Sequence, residues 1–258
     1  MIIAFSNQKG GVGKTTSAVN IAASLGMFGK KVLLCDMDPQ GNATTGVGIE
    51  KKNVSLSIYD VIIGRSTVNE VKIKTEYENL WILPSNINLA GAEIEFVEEE
   101  SNLSDRYLRF KNTVSIVEEE FDYIIIDCPP SLGILTVNAL CGSDYVIVPM
   151  QCEYFALEGL SQLSNILKYV RKLFNPKVII GGILITMYDG RLNLSVQILE
   201  QLKNFFPNEI LKTLVPRTVR LAESQSHKIP IYYFDKNCKA NDCYIELAKE
   251  IDKKCVKL

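Results

Sequence analysis

The stretch Gln8-Lys9-Gly10-Gly11-Val12-Gly13-Lys14-Thr15-Thr16 packs three glycines, two lysines and two threonine hydroxyls into nine residues. Glycines let a backbone turn tightly and bring several N–H groups up to one anion. The apolar run Ile2-Ile3-Ala4-Phe5 before it reads as a buried strand, and Ser17 to Leu25 after it reads as a helix. The start of that helix adds free N–H groups and a positive dipole end. Strand, glycine loop, Gly-Lys-Thr and helix together make a phosphate-binding loop. In such a loop Lys14 reaches the β- and γ-phosphates and Thr15 ligates Mg²⁺. The general pattern G-x-x-x-x-G-K-[ST] asks for glycine at position 8, where this chain has Gln8, and an extra lysine, Lys9, follows it.

Three aspartates extend the chemistry. Asp36 and Asp38 end the apolar run Val32-Leu33-Leu34-Cys35. Two residues apart on an extended backbone, they are expected to point the same way. They fall at the carboxyl end of a strand, where open α/β sheets place ligands. One carboxylate bound to Mg²⁺ through water and one orienting the attacking water is the chemistry they suit; an Asp-Pro turn closing a strand is the plainer reading. Asp127 closes Tyr123-Ile124-Ile125-Ile126, the arrangement of an acidic Mg²⁺ partner acting through water. An Asn-Lys-x-Asp guanine reader is absent, since Met187-Tyr188-Asp189 stands where it would be expected. ATP is therefore favoured over GTP.

Strands that could carry these groups are expected at Ile2–Phe5, Lys31–Cys35, Leu80–Leu83, Tyr123–Asp127, Tyr145–Pro149, Val178–Thr186 and Ile210–Val215. Several are continuous apolar runs, as in parallel sheets buried on both faces. Helical spacing recurs from Leu157 to Leu173, from Leu192 to Phe206 and from Tyr244 to Val256. The alternation implies an α/β fold, a doubly wound and mostly parallel sheet with helices on both faces. The 258 residues suffice for one such domain, and a single domain spanning 1–258 is expected. No separate N-terminal DNA-reading domain and no cleavable signal is expected, and no run of 18 apolar residues suggests a membrane span. A net charge of −2 requires any nucleic-acid contact to come from a local patch. The odd count of seven cysteines, without a C-x-x-C pair, and the lone His227 point to free thiols in a reducing cytoplasm rather than a metal site. The acidic stretch Glu93–Asp105, with Glu99 and Glu100, reads as a solvated helix face, with a partner surface as the other reading.

Here the motifs carry a family resemblance. Lys9 to Thr16 resembles the deviant Walker A motif of the ParA/MinD group of P-loop ATPases. Asp36-Met37-Asp38-Pro39-Gln40-Gly41-Asn42-Ala43-Thr44 and Tyr123 to Gly133 resemble the second and third motifs of its ParA/Soj branch. Gln151 to Leu160 and Leu89 to Glu95 resemble further stretches, so the likeness covers nearly the whole chain. The resemblance implies an ATPase with ATP and Mg²⁺ as its ligands. Gly10, Gly11, Val12, Gly13, Lys14, Thr15 and Thr16 would bind phosphates and Asp38 would position the lytic water. Thr15 and Asp127, with Asp36, would serve Mg²⁺, and Pro216 would border the adenine. It further implies that Lys9 crosses the interface of an ATP-bound homodimer to the partner's phosphates; a solvated surface charge is the alternative for Lys9.

The branch also binds DNA non-specifically as ATP dimers and works with a ParB-type centromere-binding protein. Arg191 and Arg220 fall at positions resembling its DNA contacts, with Arg217 nearby; solvated or supporting arginines are the alternative. From Lys212 to Leu258, ten Lys/Arg face six Asp/Glu, a local basic bias suited to phosphate contacts. This chain departs from the branch at Glu223-Ser224-Gln225-Ser226-His227-Lys228-Ile229-Pro230, where the usual run is Glu-Ala-Pro-Ser-His-Gly-Lys-Pro. The resulting expectation is a DNA-partitioning ATPase of chromosomes or plasmids, cytoplasmic and nucleoid-associated when ATP-bound. Two competitors are a MinD-like membrane ATPase and an electron-transfer iron protein. The first needs a detachable basic helix: Tyr244, Leu247, Ala248, Ile251 and Cys255 form an apolar stripe beside Lys253, Lys254 and Lys257. Glu246, Glu250 and Asp252 offset those lysines, so the stripe is expected to dock on the sheet and no stable membrane association is expected. The second needs cluster cysteines that this chain does not offer.

Overall fold

The computed structural model describes residues 1–98, 102–153 and 156–256. Glu99, Glu100, Tyr154, Phe155 and Lys257 therefore lie outside the described residues. Seven strands form one sheet: β1 (Ile2–Phe5), β2 (Val32–Asp36), β3 (Ile73–Lys74), β4 (Leu80–Leu83), β5 (Tyr123–Asp127), β6 (Tyr145–Met150) and β7 (Ile179–Ile185). Their order is β3-β4-β2-β5-β1-β6-β7. All neighbours are parallel except β3, a two-residue antiparallel edge that the sequence pattern does not announce.

The helices are α1 (Lys14–Met27), α2 (Asn42–Gly46), α3 (Ile58–Ile62), α4 (Val68–Val71), α5 (Leu89–Glu98), α6 (Leu103–Val114), α7 (Ile134–Gly142), α8 (Ala156–Leu173), α9 (Asn193–Phe205), α10 (Val219–Ser226), α11 (Ile231–Phe234) and α12 (Lys239–Val256). Successive strand residues point to opposite faces, and both faces are covered. Ile2 and Ala4 join one core with Leu89, Phe110, Leu140 and Leu163 from α5, α6, α7 and α8. Ile3 and Phe5 join the other with Ala18 and Ile21 of α1 and Tyr244, Leu247 and Ile251 of α12. Burial on both sides is why the strands read as unbroken apolar runs.

The strand expected at Ile210–Val215 is not one. That segment makes only isolated contacts beside β7, with Leu211 N–H donating to Ile183 O and Val215 N–H to Ile185 O. The intervening Lys212 and Thr213 N–H groups donate to the Glu250 carboxylate of α12, at 2.7 and 3.2 Å. A helix side chain captures the donors that a ladder would need, and Pro216 has none.

Parallel strands put all their carboxyl ends on one edge. The register sets Phe5 beside Asp127 and Asp127 beside Asp36. The loop after β1 thus emerges next to both aspartates, between outward-diverging connections, which is where such sheets hold ligands.

Candidate functional site

Gly13 precedes α1 with φ 83° and Gly11 has φ 72°. Both lie in the left-handed region that side chains disfavour, so the loop requires glycine there. Two polar groups from neighbouring strand ends hold its shape. Gln151 donates to Gly11 O at 2.9 Å, and Thr186 Oγ1 donates to Val12 O at 2.8 Å. Neither residue stands out by type; Gln151 sits in a family-like stretch and Thr186 is merely the polar end of an apolar run.

A cleft of about 510 Å³ opens over this loop. Gly10, Gly11, Gly13, Lys14, Thr15, Thr16, Asp38, Asn42, Pro130 and Gln225 are among its walls. Lys14 is 6% exposed, with its Nζ donating to Lys9 O at 3.0 Å. Burial lowers its pKa, and the nearby Asp127, Cys128 and Asp38 push it back up. Val12 is buried and does not face the cleft. Lys9 is also absent from the lining; its side chain is 48% exposed and ion-paired with Glu153.

The three aspartates have different surroundings. Asp127 is fully buried, and neither carboxylate oxygen has a hydrogen-bond partner. Burial and then its register neighbour Asp36 hold its pKa well above the usual carboxylate range, partly offset by the nearby Thr15 hydroxyl, short of hydrogen-bond geometry, and by Lys14. Asp36 is equally buried but fully engaged. It accepts from Thr44 N and Thr44 Oγ1, each at 2.7 Å, and from Asp38 N at 3.3 Å. Burial raises its pKa to about 6 against those bonds. Asp38 faces the cleft, with Oδ1 accepting from Gln40 N at 2.9 Å.

Asp36 and Asp38 therefore do not point the same way. β2 ends at Asp36 and the backbone turns, so that the Asp38 N–H folds back onto the Asp36 carboxylate. Thr44 relays this contact by accepting from Ser85 N at 2.9 Å, tying β2, α2 and the chain after β4 together.

These surroundings fit a magnesium nucleotide. Among the described residues no group of three or more His, Cys, Asp or Glu is placed to hold a metal ion by itself. Mg²⁺ ordinarily keeps several waters and takes one or two carboxylates plus substrate phosphates, which suits the unpartnered Asp127 beside Thr15.

A second slot of about 210 Å³ adjoins the cleft, lined by Met187, Val215, Pro216, Arg217, Leu221 and others. Gly13, Thr16, Met187 and Gln225 line both spaces. The apolar walls around Pro216 match a flat ring better than an anion. The Glu223–Pro230 departure lies here: Lys228 has φ 61° at the position of the usual glycine, and it pairs with Glu50 from beyond α2.

The arginines lie farther out. The Arg191 side chain is 90% exposed and forks onto Asp189, whose pKa is pulled down to about 2 by that pairing. Arg220 is clasped by Asp235 and Glu223 and lies over the Phe234 ring at 4.9 Å. Cys35, Cys128, Cys141 and Cys152 are buried free thiols, and Cys238 and Cys243 are free and partly buried.

Comparison with known proteins gives one consistent picture. A family model described as an AAA domain matches residues 1–180. The sporulation initiation inhibitor protein Soj of Bacillus subtilis is 50% identical over 97% of both chains. The chromosome-partitioning ATPase Soj of Treponema pallidum is 45% identical over 96% of both. Among solved structures, cobyrinic acid a,c-diamide synthase of Mycobacterium smegmatis with bound ADP and magnesium superposes with a TM-score of 0.83. It is 33% identical, covering 96% of this chain and 92% of that one.

Proposed function

Since this chain belongs to the ParA/Soj family of partition ATPases, we propose that it segregates DNA by an ATP-driven cycle of dimerisation, DNA binding and release. Its enzymatic activity is ATP hydrolysis, with ATP and Mg²⁺ in the cleft over Gly10–Thr16. When bound, Mg²⁺ neutralises phosphate charge. Lys14 would bind the terminal phosphates, Thr15, Asp36 and Asp127 would serve the Mg²⁺ directly or through water, and Asp38 would orient the attacking water. The apolar slot at Pro216 takes the adenine.

The contrast between two lysines carries the reading. Lys14 is buried at the cleft floor, while Lys9 stands exposed beside it and does not line that cleft. An outward lysine paired in its own chain with the exposed Glu153 gains a phosphate partner when a second nucleotide-loaded subunit faces it. ATP then favours the dimer by its differential affinity for it. In this reading the dimer binds DNA non-specifically through Arg191, Arg217 and Arg220, and a ParB-type partner stimulates hydrolysis to release it. The protein is then cytoplasmic and nucleoid-associated in its ATP state. The MinD-like alternative is disfavoured by α12: Tyr244, Leu247, Ala248 and Ile251 are at most 1% exposed, so this stripe is spent on the core. Among the described residues no helix is long and apolar enough to cross a membrane.

Light scattering after gel filtration with ATP and Mg²⁺ tests the cycle. Asp38→Ala is expected to accumulate as a dimer without phosphate release. Lys9→Ala is expected to bind ATP but remain monomeric, and dimerisation of that variant at the wild-type level would overturn the reading.

A further inference from the structure

A side-chain contact stands where the phosphate cleft meets the apolar slot. Gln225 Nε2 donates to Thr16 Oγ1 at 2.5 Å, joining α10 to the third residue of α1. Of the four residues that line both spaces, Gly13 has no side chain and Met187 offers only a weak thioether acceptor. Thr16 already accepts from Gln225. Gln225 keeps its carbonyl Oε1 and a second N–H for use. Of the other hydroxyls around the slot, Thr186 donates to Val12 O, Thr218 accepts from Arg220 N, and Tyr244 pairs with Ser17. Arg217 carries donors only. At this junction Gln225 thus offers a free carbonyl acceptor and a second N–H donor on one planar group, beside the O–H that Thr16 keeps for donation.

A ligand with phosphates over Gly11–Lys14 and a ring beside Pro216 must lay its sugar along this contact. A ribose diol presents two hydroxyls, each able to donate and accept, and a carboxamide matches such a pair. Met187, which also lines both spaces, has φ 51°, a backbone conformation that non-glycine residues adopt at a cost.

We propose that Gln225 reads the ribose of the bound nucleotide, Oε1 accepting from one hydroxyl of the diol while an Nε2 N–H donates to the other, and so selects ribonucleotides over deoxyribonucleotides. The inference rests on the nucleotide reading of the cleft. It concerns a departure from the run that Glu223–Pro230 resembles, which has proline here, a residue with no polar side chain.

Isothermal calorimetry with Mg²⁺ and ADP, 2′-deoxyADP or 3′-deoxyADP separates the possibilities without turnover. The wild-type protein is expected to bind ADP about three- to tenfold more tightly than at least one deoxy analogue, the worth of one net hydrogen bond. Gln225→Met, close in shape and apolar, is expected to bind ADP at least as weakly as the wild type binds that analogue, and to discriminate between ADP and the deoxy analogues by less than about twofold. Gln225→Ala repeats the measurement, and unchanged thermal unfolding of either variant controls for folding. Equal binding of all three ligands by the wild type, or an equal loss for all three in the variants, would overturn the proposal. Failure of the wild type to bind ADP at all would instead overturn the nucleotide reading.

Discussion

Asp127 is buried with neither oxygen partnered. A buried carboxylate with two unpartnered oxygens is normally avoided, because losing water without a replacement partner is expensive. Its raised pKa has a definite sign. The folded chain holds this proton more tightly than the unfolded chain, so stability falls as pH rises from the unfolded carboxylate range near 4 towards the folded value. Asp36, at about 6, adds to the loss in the window up to that pH. Asp127→Asn is therefore expected to stabilise the nucleotide-free protein by about 1–3 kcal/mol at pH 8, the cost of an unsatisfied buried group. The gain should shrink towards zero near pH 4, where the native residue is protonated. Urea unfolding at both pH values checks it, and a destabilised variant at pH 8 would show that the Asp127–Lys14 attraction outweighs desolvation. Lys14 has the mirror-image arrangement, a buried cation whose ordinary charge is supported mainly by Asp127.

α1 carries the phosphate loop, and its far end is fixed by a close approach. A Cβ on Gly26 would meet Glu78 O at 2.3 Å, and Asn79 Nδ2 already donates to Gly26 O at 3.1 Å. Gly26→Ala gains helix propensity of about 1 kcal/mol but cannot relieve a clash with backbone. A net destabilisation of about 1–3 kcal/mol is expected, as for overpacked sites, read from the urea midpoint. The turn between α10 and α11 shows the opposite case. Lys228 occupies a left-handed conformation that costs a non-glycine residue about 1–2 kcal/mol. Its exposed pair with Glu50 returns little of that. Lys228→Gly is expected to leave stability within about 1 kcal/mol, because relieved strain offsets added chain entropy. Lys228→Val should cost about 1–2 kcal/mol, since a branched Cβ fits this region worst. The comparison of the two denaturation curves is the test.

The molecule keeps its chemistry at the carboxyl edge of one sheet and its exposed cations outside the cleft. The arginines proposed to touch DNA are not equivalent. Arg220 holds α10 to Asp235 beyond α11, so its loss removes a structural clasp together with any phosphate contact. Arg191 is tied only to its own loop through Asp189 and is the cleaner probe. Arg191→Ala is expected to weaken binding of the ATP dimer to any DNA sequence alike. It should also reduce the slope of log affinity against log salt by about one, with the unfolding midpoint unchanged. Filter binding over a salt series measures both quantities, and an unchanged slope removes Arg191 from the interface.

By itself the sequence determined the glycine loop, the strands β1, β4 and β5 to the residue, and the place of Asp127 at a strand end. These are local properties: backbone freedom at glycine, apolar runs of strand length, and one carboxylate following them. Tertiary structure decided what each group faces. Asp36 and Asp127 become neighbours only through the register of β2 on β5. Asp36 turns inward because Thr44 and the Asp38 N–H reach it first, leaving Asp38 alone of that pair facing the cleft. The apolar Ile210–Val215 reads as a strand until Glu250, 38 residues from Lys212, takes its donors. Gln225 meets Thr16 across 209 residues. Hydrogen-bond partners are chosen by packing between distant segments, and no spacing along the chain encodes which donor arrives at which acceptor.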